Sequence, residues 1–231
     1  MEVGGPGGPR MVGHVGTVTA MARPLLRRLG ALAGITGPVV FTGAWVVGSV
    51  RQSGYPLAHE HISGLAALDA EHPRVMQTGF LALGLGTLGL ALALQDALGP
   101  GLRRAGPGPT LLAAAGAAEV VAGLLRRDTV LLNPPGRPAD WRQSRRNDGH
   151  DAAAGVAFTT AVLVPLALAA RFRHDPVWAP LVPVAVAAAL TTGTVMAVFA
   201  TDVDRRGNGI LQRVMVTVPQ AFQVALATRL V

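Results

Sequence analysis

The stretch MQTGFLALGLGTLGLALALQDAL, residues 76–98, decides the fold. Its only formal charge is Asp96, close to its end. At about 1.5 Å per residue, a helix of this length crosses about 30 Å of hydrocarbon. An isolated strand in lipid would leave its backbone N–H and C=O groups unpaired, and the alternation of a barrel strand is absent, so the stretch must be helical. Gly79, Ala82, Gly86, Gly89 and Ala93 recur along it every three or four residues, a seam of small residues that a second helix can approach closely.

Five more apolar stretches lie outward from it, at residues 29–50, 110–125, 151–172, 178–200 and 209–228, the third being the shortest. Together they predict an all-α fold, an integral membrane bundle of six transmembrane helices over residues 25–231. The composition agrees: the 231-residue chain is 50% hydrophobic and 14% charged, with a mean hydropathy of +0.42, and its charges gather between the apolar runs. Pro38, Pro165 and Pro219 fall inside spans, where each removes a backbone donor and predicts a kink or an opened turn.

All 20 basic residues are arginine, which with the Ala, Gly, Pro and Val excess reads as the coding bias of a GC-rich bacterial genome. The net charge of +7 does not point to nucleic acid. Pairs such as Arg27-Arg28, Arg103-Arg104, Arg126-Arg127 and Arg205-Arg206 sit beside helix ends without interleaved aromatics, so membrane lipids are the expected partners. With no cysteine there is no disulfide, thiolate metal site or cysteine nucleophile.

Residues 1–24 read as a disordered Gly/Pro-rich tail whose translation is open, because Met21 begins a conventional basic lead into the first helix. That helix is expected to be uncleaved, being long for a signal peptide and lacking an A-x-A site. The charge rule divides the flanking arginines eight to ten between the two sides. The first helix, with three arginines before it and one after, favours a cytoplasmic N-terminus in the cell membrane.

Six spans put connections 51–75, 127–149 and 201–208 on one side. That side collects His59, His61, His72 and His150 with Asp128, Asp148, Asp151, Asp202 and Asp204. In SGYPLAHEHISGLAALDAEHP, His59 and His61 would project together if locally extended, as two imidazoles on one metal require. Ser63 before GLAAL reads as the N-cap of a short helix on the membrane surface. His150 and Asp151 open the fourth span and Asp128 follows the third, so His59, His61 and His150 with Asp128 or Asp151 would suit zinc and an activated water. The simpler alternative is a polar cap tying helix ends together.

Two groups lie deeper. Glu119, within AAAGAAEVVAGLL, must face the bundle interior, protonated or paired. Arg213 enters the last span, and Thr217 and Gln220 follow at helical spacing, a polar stripe descending from the loaded face. Arg213 is expected to pair with Asp128 or Asp151 near the surface.

At these residues the chain resembles the bacterial and archaeal six-span membrane proteins catalogued as domain of unknown function 998. The resemblance rests on SGYPLAHEHIS (Gly54, Tyr55, Pro56, Leu57, Ile62, Ser63), AGLLRRD ending in Asp128, GHDAA with His150 and Asp151, and GILQR with Gln212 and Arg213. The chain departs from the family pattern at Thr129, in place of proline, and at His59 and His61. The resemblance implies a six-helix membrane fold and no established activity. A looser similarity is to ceramidase-like intramembrane hydrolases.

Three readings follow. One is a metal-assisted hydrolase of a lipid or lipid-linked substrate, with Asp128, His150 and Asp151 as catalytic candidates and zinc as its metal. Another is a carrier of a small solute, lipid or proton along Glu119, Arg213, Thr217 and Gln220. The third is a lipid- or partner-binding module closed by a polar cap.

Overall fold

The computed structural model describes residues 14–99, 102–201 and 207–231, and among these it is all-helical. The helices are α1 (His14–Arg51), α2 (Pro73–Leu98), the short α3 (Leu102–Ala105), α4 (Gly108–Leu124), α5 (Arg145–Phe172), α6 (Val182–Thr201) and α7 (Asn208–Thr228), with 3₁₀ turns at Ile62–Ala66 and Ala179–Leu181. Five helical segments are long and apolar enough to cross a membrane, and α4 is a shorter apolar helix. Only 28% to 44% of the residues in the five apolar stretches are buried. Leu85, Leu92, Leu124 and Leu190 are 61% to 74% exposed. Such a surface is unfavourable in water and is what lipid requires, as in a multi-pass membrane protein.

The long helices pack in chain order, α1 on α2, α2 on α4, α4 on α5, α5 on α6 and α6 on α7, and α7 closes the ring on α1. Small residues set the tightest contact. A methyl group on Gly86 would fall 2.4 Å from the Ala33 carbonyl oxygen, and one on Gly37 would fall 2.7 Å from that of Ala82. Gly30 is equally close to Gly89. The small-residue seam of α2 is therefore the α1 interface. The opposite side of α2 meets α4 the same way, through Gly84 and Gly116.

A buried cluster around Leu94, Leu168, Phe172 and Leu226 fills one end of the bundle, and another around Phe41, Ile62, Met76 and Phe80 fills the other. At the second end the connections are bonded to one another. Leu68 N–H donates to the Arg127 carbonyl, Val130 N–H to Asp69 and Leu132 N–H to Glu60. The shared side expected for connections 51–75 and 127–149 is thus observed.

Three boundaries differ from expectation. Helix α1 begins at His14, so residues 14–24 continue the first helix; residues 1–13 lie outside the described residues. Helix α5 begins at Arg145, because Ser144 caps it by accepting from Asn147 N–H at 3.2 Å; His150 and Asp151 therefore sit in its second turn. Ser63 caps no surface helix. It lies inside a fully buried 3₁₀ turn, since Gly64 lets the backbone rest on the Val130 carbonyl and the Arg126 guanidinium binds the carbonyls of Ala66 and Ala67. Asp202, Asp204, Arg205 and Arg206 lie outside the described residues.

Candidate functional site

The site has two levels, a polar network at the loop-rich end and a cavity beneath it. In the network, Asp128 receives Ser144 N–H at 2.7 Å and Ser144 Oγ–H at 2.6 Å. Asn147 accepts from Asp128 N–H at 3.1 Å and donates to Asp151 at 2.9 Å. Asp128 and Asp151 are thus joined through Ser144 and Asn147, binding the exit of α4 to the start of α5. His150 completes that joint. Its Nδ1 lies 2.9 Å from the carbonyl oxygens of Ala122 and Leu125, which end α4 and lack helical partners. Carbonyls only accept, so Nδ1 carries a hydrogen.

Arg213, 7% exposed, takes neither Asp128 nor Asp151 as a partner. Its Nη1 donates to the carbonyls of Leu57 at 2.8 Å, Glu60 at 3.1 Å and Gly209 at 2.8 Å, and its Nη2 to Tyr55 Oη at 2.9 Å. The folded 55–60 connection brings the Leu57 and Glu60 carbonyls and Tyr55 Oη onto it, and Gly209 is one turn back in α7 itself. Gln212, the preceding residue, accepts from Ile62 N–H at 2.6 Å and holds the buried turn down. Burial raises the Tyr55 pKa above its ordinary value, with the Arg213 guanidinium acting in the opposite direction. Arg127 is buried between these groups; burial lowers its pKa, opposed by the charges of Asp151 and Glu60.

Below the turn, α2, α4, α5 and α7 enclose a cavity of about 110 Å³. Its wall is mostly apolar, with Ser63, Glu119, His150, Gln212 and Gln220 lining it beside Thr87, Thr160 and Gln223. Glu119 lies 3.0 Å from Thr87 Oγ, which also lies 2.8 Å from the Leu83 carbonyl and 3.2 Å from Gln223 Oε1. Gln223 Nε2 donates to the Gly34 carbonyl at 3.2 Å, which fixes the amide with its oxygen toward Thr87. Four helices meet in this one chain of contacts.

Five anticipated residues, Ser63, Glu119, His150, Gln212 and Gln220, therefore share one cavity. Thr217 does not; it is exposed on the outer face of α7, because the polar stripe follows Gln212 toward Gln223, not Arg213. The three candidate metal ligands are not brought together. His59 is exposed, His61 packs 5.3 Å from the Phe199 ring of α6, and His150 is turned onto the end of α4. Among the described residues no three His, Asp or Glu side chains are grouped so as to hold a metal ion.

Sequence reasoning missed Thr87, Gln223, Asn147 and Glu60. Gln223 had a signal: it lies eleven residues after Gln212, three helical turns on the same face. Ser144, three residues before Asn147, also carried the signal of an N-cap.

The family described as Protein of unknown function (DUF998) matches residues 35–229. No curated protein and no solved structure matches the chain.

Proposed function

The chain belongs to the DUF998 family, and from that premise we propose that it is a six-span, proton-linked carrier of the bacterial cytoplasmic membrane, with Glu119 as its ionisable centre. In this reading the N-terminus is cytoplasmic, α4 is the sixth span, and the cargo is a small solute, a lipid or the proton itself. One observation carries the proposal. Glu119 stands within the apolar helix α4, more than a turn from its nearer end, lines a cavity, and has no arginine among the other residues of that cavity. An ionisable group kept at that depth is costly and marks a pathway for ions or substrate. Gln212, Gln220 and Gln223 provide polar stations between the loop-rich end and Glu119.

The hydrolase alternative has less support, because His59, His61 and His150 are apart and Asp128 and Asp151 are engaged in holding helix ends. The test is proton flux into proteoliposomes under an imposed pH gradient, measured with and without a small organic cation loaded inside. Glu119→Gln keeps the size and the contact to Thr87 but cannot release a proton. We expect flux to fall at least tenfold while elution and melting in detergent stay unchanged. Equal flux in the variant would falsify the carrier reading.

A further inference from the structure

Resting on the carrier reading, we propose that the cavity binds a small hydrophobic organic cation, which takes the place of the proton on Glu119. The charge inventory of the wall supplies the sign. Glu119 is its one acid, His150 its only other titratable side chain, and no arginine lines it. Once Glu119 loses its proton, the cavity holds a negative charge that the wall does not balance. A buried uncompensated charge is expensive, so the resting site needs a proton and the occupied site needs a cation.

The count of donors places that proton on Glu119. Thr87 has one hydroxyl hydrogen and faces three oxygens, those of Leu83, Glu119 and Gln223. The Gln223 amide cannot supply the missing hydrogen, since its nitrogen is turned to Gly34. A protonated Glu119 donating to Thr87 Oγ leaves the Thr87 hydrogen for a second oxygen. When a cation enters, the carboxylic acid gives one proton to solvent, the carboxylate pairs with the cation, and the Thr87 hydroxyl turns its hydrogen to the carboxylate. The balance is one proton out for one positive charge in.

The rest of the wall selects an organic cation. Phe41, Phe80, Phe158 and Phe222 line the cavity, and aromatic rings attract cations at their faces. A hard inorganic dication demands about six or more oxygen ligands, which this mostly hydrocarbon wall does not offer. From the surrounding elements Glu119 meets Thr87 of α2 and shares the cavity wall with Gln223 of α7, His150 of α5 and Ser63 of the buried turn, none of them acidic or permanently charged.

The experiment is calorimetric titration of the full chain in detergent with three probes of similar size, each with five heavy atoms and small enough for the cavity, namely tetramethylammonium, tert-butanol and methanesulfonate. The cation should bind at least tenfold more tightly than the other two. It should release close to one proton per molecule, bind more tightly as pH rises, and lose at least tenfold in affinity in Glu119→Gln. The charge series in the unmodified protein needs no variant to fold. Equal binding of the neutral probe, or cation binding without proton release, would overturn the inference. If the cation fails to bind while Glu119-dependent proton flux persists, the cation site falls and the carrier stands. If the cation binds with proton release but Glu119→Gln leaves flux unchanged, the carrier falls and the site stands.

Discussion

Tyr55 is the one tyrosine of the chain, so its ionisation can be followed without interference. Burial holds its pKa above 10.0 and the adjacent Arg213 opposes the rise. Below pH 10 the phenol is neutral in folded and unfolded chains. As pH rises through 10, the unfolded chain releases its proton first, so stability falls in that window. Ultraviolet titration of the folded protein should therefore place tyrosinate formation above pH 10, and Arg213→Met should move it higher still. A midpoint below 10 would contradict the packing described for this corner. Arg213→Met should also cost about 1–3 kcal/mol in melting experiments, because it strands buried carbonyl groups. At this scale the sequence was legible for Glu119, since a carboxylate in an apolar run has few explanations. It was not for Thr87, which passes as an ordinary small residue until Glu119 and Gln223 are seen around it.

Helices α1 and α2 meet through atoms the side chains leave out. Gly86→Ala places a methyl 2.4 Å from the Ala33 carbonyl and should destabilise the protein by about 1–3 kcal/mol, read from thermal unfolding in detergent. Gly43→Ala, where nothing lies within 4 Å, is the matched control and should leave the melting temperature unchanged or slightly raised. Ser144→Ala removes the cap of α5 and its bond to Asp128, and should cost about 0.5–2 kcal/mol. The seam on α2 was legible because spacing alone puts small residues on one face. The start of α5 was hidden by its polar first turns, RRNDGHD, which carry no apolar period. The burial of Ile62–Ala66 was hidden too, because it depends on Gly64 and Arg126 finding backbone partners that are distant in sequence.

At the scale of the molecule, the ring of helices fixes which connections share a side. The chain has no cysteine, so single cysteines report sidedness directly. His59→Cys and Asp140→Cys should react with an impermeant maleimide from the same side of intact cells, and His174→Cys only after the membrane is opened. Reaction of all three from outside would refute the single crossing between Asp140 and His174. Reaction of His174→Cys alone would keep the fold and reverse its insertion. The five long apolar helices, the shorter α4 and their order were legible from apolar length; the closure of α7 on α1 was not, because contacts between segments so distant in sequence leave no local pattern.

That closure also sets an order of events during synthesis. Helices α1 and α2 can form their hairpin as soon as both have emerged, since their interface needs nothing else. Glu119 arrives with α4, when Thr87 is in place, but Gln223 belongs to α7, which is made later, and reaches across to Gly34 in α1. Until α7 has emerged, the carboxyl group lacks one wall of its cavity, the one that Gln212, Gln220 and Gln223 supply. A nascent chain therefore has no complete cavity until α7 has joined the helices made before it.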